Sequence, residues 1–141
     1  MTKKKKTIRR KHRIKKRLKK ELSSNRKYKT TFKDIKNYFK IINREVFNNL
    51  LAPFNDIKIK QIREKSLKTW GQVVVYEWKR KGTQVFHLEM LPTYRNKKEF
   101  VDTLGHEMVH LYQMANRGDT GNHNQLFYGF RSKLNSLGLD L

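Results

Sequence analysis

Cysteine is absent from this 141-residue chain, which excludes a disulfide framework, a thiolate metal site and a cysteine nucleophile. Apolar runs extend over only a few residues, far short of the ~20 that span a bilayer. The charged N-terminal stretch has no apolar segment behind it, as a secretory signal would. A soluble, intracellular protein with no membrane contact is therefore expected. Proline occurs only at Pro53 and Pro92, and each is expected to end a regular element. Acidic residues are scarce, 12 against 34 lysines and arginines, for a formal charge of +22.

That charge is unevenly spread. Residues 1–30 hold 16 basic residues and one acid, Glu21, while residues 31–141 carry an excess of only +7. The chain thus divides into a basic arm, residues 1–30, and a single modest domain, residues 31–141. Residues 3–20 read KKKKTIRRKHRIKKRLKK. Such a block repels itself and is expected to be disordered alone. Ile14, Leu18 and Leu22 recur at i, i+4 and i+8, so a helix can form once phosphates neutralise the charge. Nucleic acid is the favoured partner, because a polycation releases condensed counterions from DNA or RNA. A solvated cationic tail is the plainer alternative. A membrane surface fits least, since the arm has no Trp/Phe/Leu-rich face.

The remaining sequence alternates between two periods. Thr31-x-x-Asp34 looks like an N-cap pair, followed by Phe32, Ile35, Phe39, Ile42, Val46 and Leu50 at helical spacing. Pro53 is expected to close that helix. Ile57-x-Ile59, residues 71–79 and residues 84–90 read as strands, the last two joined by Arg80-Lys81-Gly82-Thr83. Asn96-x-x-Glu99 caps a second helix bearing Phe100, Leu104, Met108, Leu111 and Ala115. A loop from Asn116 to Gly121 leads to a last helix with Phe127, Phe130, Leu134 and Leu137. Helix, strands, helix, helix is an α+β order, with a small antiparallel or mixed sheet packed on the second helix.

That second helix contains His106-Glu107-Met108-Val109-His110, the HExxH pattern. Residues i and i+4 lie one turn apart on one face, so both imidazoles can reach one metal. Glu107 lies beside that face, where it can accept a proton from water. Two histidines merely packed or solvated would also explain the pair, but in a chain with 5 histidines this spacing is improbable by chance. A catalytic zinc site needs a third protein ligand. No glutamate follows Glu107, and Gln113 and Asn116 stand where HExxHxxGxxH would require Gly and His. His123, Asp119 and Asp140 remain, and His123 is the favoured ligand.

At these residues the chain resembles the SprT-like zinc metallopeptidases. Their signature is an HExxH helix preceded by Thr-Leu, then a loop, then Gly-His-Gly-x-x-Phe opening a helix with a later Asn. Here the counterparts are Thr103-Leu104, His106 to His110, Gly121-Asn122-His123-Asn124-Gln125-Leu126-Phe127 and Asn135. Phe39, Asn43 and Phe47 resemble the family's upstream helix. Two departures stand out: Asn122 intervenes between Gly121 and His123, and Asn124 replaces the glycine after the histidine. The resemblance spans residues 32–137 and implies a zincin-like minimal metalloprotease domain, Zn2+, peptide-bond hydrolysis and proteins linked to DNA as substrates. The cysteine-based zinc ribbon of some members is absent.

The reading that follows is a zinc-dependent endopeptidase acting on nucleic-acid-associated proteins. Its metal ligands would be His106, His110 and His123, with Glu107 as general base. The alternative is a DNA- or RNA-binding or virion-associated protein with a structural or vestigial zinc site. In zincin-type folds an edge strand pairs with the extended substrate, and residues 84–90 are expected to serve. Tyr94, Tyr112, Tyr128 and Arg131 are candidate oxyanion partners. His87 reads as a sheet-surface residue on the face of Val85 and Glu89. Trp70 and Trp78 are expected to pack in the core or, for Trp70, to line the cleft. Lys79-Arg80-Lys81 reads as a solvated hairpin tip or a second phosphate contact.

Overall fold

A computed structural model describes residues 3–62, 70–78 and 82–141. The expectations for Lys79-Arg80-Lys81 and for the packing of Trp78 fall outside the described residues and side chains. No helix among the described residues is long and apolar enough to cross a membrane.

The basic segment is not a free tail over its length. Helix α1 runs Lys3–Glu21, and Leu18 and Leu22 are buried in the main core, with Ile14 packed against it. Three apolar side chains at helical spacing offset the repulsion because each leaves water on docking, a gain of about 1.5–3 kcal/mol for a fully buried leucine. Polar contacts add to this, the first of them within α1 and the other two reaching Tyr38 and Glu45 of the following helix. Arg17 Nε donates to Glu21 Oε1 at 2.9 Å, the Tyr38 hydroxyl donates to Glu21 Oε2 at 2.8 Å, and Arg10 reaches Glu45 at 3.5 Å. Lys19 and Lys20 sit in the last turn, where they favour the negative end of the helix dipole. Strand β1, Tyr28–Lys29, then leads into the rest of the chain.

Helix α2, Phe32–Phe47, begins as the sequence predicts, with the Thr31 side chain accepting the Asp34 N–H. It ends earlier than Pro53. Asn48 and Asn49 adopt left-handed backbone, φ 51° and 62°, and buried Asn43 clamps the departing chain through both bonds to the Leu51 backbone, 2.9 and 3.0 Å. Asparagine tolerates this conformation better than other side chains, so the local stop precedes the proline. Ile35, Tyr38, Phe39, Ile42, Val46 and Phe47 form the buried face of α2.

The sheet has three strands in the order β2-β4-β3, namely Asp56–Ile59, Thr83–Met90 and Gly71–Trp78. Strand β2 is parallel to β4 and β3 is antiparallel to it, so the sheet is mixed and β3 is an edge. Phe86, Leu88 and Met90 of β4 are buried in the core, whereas the alternate residues Val85, His87 and Glu89 take the other face. A further short strand, β5 (Thr93–Tyr94), pairs with β1.

Helix α3, Lys97–Leu111, is capped as predicted, Asn96 Oδ1 accepting the Glu99 N–H at 2.8 Å. Phe100, Val101, Leu104, Met108 and Val109 are fully buried, which makes α3 the central element. It continues as a π-helical turn over Tyr112–Asn116. The single last helix expected from the apolar spacing is two short ones, α4 (Gln125–Tyr128) and α5 (Arg131–Asn135). Gly129 lies between them, where helix propensity is poor, and the break lets Phe130 stack against Phe47 at 4.9 Å.

Candidate metal centre

Thr103, His106 and His110, partly exposed residues of the otherwise largely buried α3, face a cleft of about 690 Å³ between the β3 edge and the loop before α4. His106 and His110 emerge there one turn apart, half-buried, and the loop brings exposed His123 to them. The Nε2 atoms of His106 and His110 approach to 3.1 Å, and those of His110 and His123 to 3.3 Å. These three residues offer ligand atoms all within 4.8 Å of one another. Phe127 of α4 stacks on His110 and His123 at 4.9 and 4.4 Å and forms the apolar wall behind them.

Gln113, fully buried in the π-turn, fixes this arrangement from behind. Its Nε2 donates to the Asn122 carbonyl at 2.8 Å and Asn124 Oδ1 at 3.1 Å, with Asp119 Oδ2 at 3.4 Å. Three oxygens around that atom identify it as the nitrogen, so the amide oxygen faces His110 Nδ1 at 3.0 Å. His110 must then donate from Nδ1, which leaves a lone pair on Nε2. Asp119, whose carboxyl is held low by Asn124 and by backbone N–H bonds, is taken up in this loop network. Asp140 is paired with Lys98 at 2.6 Å. Neither alternative carboxylate joins the histidine group.

The donor set fits a cation. Burial first, then the neighbouring imidazoles, pushes His106 down to about 4, and burial likewise lowers His110, so both are neutral at pH 7, the form in which imidazole ligates. The His110 Nε2 lone pair faces the Nε2 atoms of both other rings, an arrangement in which all three nitrogens can converge on one cation. Glu107 lines the same cleft and is 5 % exposed. Burial pushes its carboxyl up to about 8, opposed only in part by the Val73 backbone N–H that it accepts.

That bond shows which strand borders the cleft. Gly71, Gln72 and Val73 of β3 line it, whereas residues 84–90 form the central strand β4. The expectation that 84–90 is the edge is corrected: β4 is enclosed because β2, distant in sequence, pairs with its outer side. Gly71 permits the close approach of β3 to α3, since a Cβ there would stand 2.9 Å from Thr103 Cγ2. Gly121, at φ +78°, supplies the turn into His123.

Of the other candidates, Trp70 is half-exposed and lines the cleft. Tyr94 is buried, its hydroxyl donating to the Trp70 carbonyl and accepting the Leu91 N–H. Tyr112 packs on Phe47 and Phe130. Tyr128 lies edge-on to His123 at 6.4 Å with Arg131 over its ring. His87 is on the sheet face opposite the core, against Tyr76. Gln113 had no assigned role in the sequence, although a buried amide three residues after His110 shares its face.

A family model described as the SprT-like family matches residues 35–139. The chain belongs to the SprT-like family. Its α+β fold with a small mixed sheet agrees with such a domain, and the family is generally of metallopeptidase type. No curated protein and no solved structure matches the chain. Within the matched span of this SprT-like chain lie every histidine of the cleft, Glu107 and the network of Gln113.

Proposed function

We propose that this SprT-like protein is a zinc-dependent endopeptidase with a zincin-like site, acting on proteins associated with nucleic acid. The observation that carries the reading is the juxtaposition in one cleft of three convergent imidazoles, a buried carboxylate and a strand edge, with no cationic side chain on that carboxylate and no strand on that edge among the described residues. His106, His110 and His123 would hold the zinc ion. When bound, zinc supplies a Lewis acid that polarises a carbonyl and acidifies water towards about 7.

The protein's own groups do the rest. Glu107 takes the proton from the attacking water as the scissile carbonyl is approached and returns it to the leaving amine, so the peptide C–N bond breaks with no net proton change. Gln113 holds the His110 ring in one tautomer and ties down the loop of His123. The peptide group of Val75 turns outward from the β3 ladder two residues beyond Val73, whose N–H is held by Glu107, and is suited to pair with an extended substrate. The basic segment, residues 3–20, concentrates the enzyme on nucleic acid, which supplies location in place of a side-chain pocket.

The test is proteolysis of a DNA-bound basic protein by the zinc-loaded chain, with and without single-stranded DNA, beside Glu107→Gln. Cleavage that rises with DNA and vanishes in the variant at unchanged zinc content supports the reading. A folded, zinc-bound protein that binds DNA and cleaves nothing would favour the binding protein with a vestigial site.

A further inference from the structure

Three of the four arginines of α1 share one face. Arg10, Arg13 and Arg17 fall at i, i+3 and i+7, whereas Lys15 and Lys19 point to the opposite side of the helix. The arginine face borders α2, which contributes Arg44. These four and Ile14 line a groove of about 380 Å³ between the two helices.

The groove is built. Glu45, its side chain 1 % exposed, lies beneath and accepts from Arg44 Nε at 2.8 Å, with Arg10 at 3.5 Å. Arg17 is steadied by Glu21 at 2.9 Å. Each guanidinium carries five donors in a fixed fork, so one bond to a carboxylate orients the group and leaves most donors for a ligand. Four guanidiniums against two carboxylates keep the groove cationic. We infer that this groove is a binding site for consecutive phosphodiesters of a nucleic-acid strand, and that the arginine face, not the helix charge in general, holds the strand.

The geometry favours that ligand. From Arg10 to Arg17 the helix rises about 10 Å, enough to meet two consecutive phosphates of one strand. Planar guanidinium forks match phosphate oxygens in pairs, which lysine cannot do. A lipid surface is disfavoured because Leu18 and Leu22, with Ile14, are already spent on the core, and α1 has no further apolar face to insert. The inference deepens the nucleic-acid part of the proposed function and rests on it, but is independent of peptide hydrolysis.

The experiment is a salt-series anisotropy titration of the full zinc-loaded chain. The probes are a mixed-sequence DNA duplex, the matching DNA and RNA single strands, and vesicles of phosphatidylserine and phosphatidylcholine. Arg13→Gln/Arg17→Gln is compared with Lys15→Gln/Lys19→Gln, which removes the same charge from the other face. The arginine pair should lose on the order of tenfold or more in duplex affinity and flatten the slope of log affinity against log salt by about 2, the lysine pair much less. Arg44→Gln, outside the basic segment, should flatten it by about 1. Arg13→Lys/Arg17→Lys, which keeps charge and helix, should keep the slope yet bind less tightly, and thermal unfolding checks that each variant is folded. Equal losses in the two double variants, or wild-type affinity in Arg44→Gln, overturn the groove while the nucleic-acid reading stands. Absence of wild-type binding to any strand, or tighter binding to vesicles, overturns both and leaves the peptidase reading untouched.

Discussion

Glu45 and Glu107 are the same residue at nearly the same burial, 8 % and 5 % exposed, yet they inhabit opposite surroundings. Glu45 lies under two arginines that bind it directly. Glu107 shares its cleft with His106 and His110, whose rings burial holds toward the neutral form, and accepts one backbone N–H. A buried carboxylate costs several kcal/mol unless it is paired. Glu45 meets that cost through Oε1, with Oε2 buried and unpartnered among the described residues, and so joins α1 to α2. Glu107 leaves it standing, tolerable only where a proton or a cation is expected to arrive. Burial alone would have ranked the two alike; the charge of what surrounds them separates a structural anchor from a group poised for chemistry.

The sharpest way to break this contrast is Glu107→Gln. Turnover should fall by about 10²–10⁴-fold with zinc stoichiometry unchanged and thermal stability equal or higher, measured as peptide cleavage and as an unfolding midpoint. A clear loss of stability would mean that Glu107, too, is an anchor. Next in size is Leu18→Ala, which removes the apolar end of the joint that Glu45 completes. It should cost about 2–5 kcal/mol in denaturant unfolding while zinc affinity of the folded protein stays as it was. A cost near zero would return the basic segment to the status of a solvated tail.

Gln113→Ala probes the support behind the histidines. It should weaken zinc binding about 10–100-fold in a competition titration with a chromogenic chelator, and Gln113→Glu, which keeps an acceptor for His110 Nδ1 but not the donor to the loop, should recover part of it. Smallest is Glu45→Gln, expected to cost about 1–3 kcal/mol of stability with no change in zinc affinity or cleavage per folded molecule. A cleavage defect there would erase the distinction between the two carboxylates.

What the sequence revealed followed the range of the interactions. The caps at Thr31 and Asn96 and the pairing of His106 with His110 depend on neighbours within one turn and were legible directly. The convergence of His123 was legible by elimination, because few ligand types follow His110. The edge strand was misassigned, since the enclosure of β4 depends on Asp56–Ile59 pairing from far away in the chain. The early stop of α2 lay in two asparagines whose left-handed backbone no apolar pattern records. The docking of α1 was masked by its charge: three apolar residues among many lysines and arginines look insufficient until the surface they meet is known. Asn122 and Asn124, read as departures from the family signature, are the partners of Gln113, so both changes belong to one hydrogen-bonded unit.

The π-turn at Tyr112–Asn116 sets a limit on chain length. A π-turn accommodates one residue more than the α-turn it interrupts. Deleting Tyr112 would bring Gln113 one residue nearer His110, turning it about 100° round the helix and off the face of His110. The exposed stretch from Arg117 to Thr120 has no such constraint and should absorb an added residue more readily. Along these few positions the protein counts residues as strictly as it selects them, and homologous chains that differ in length here should do so beyond Asn116 rather than before it.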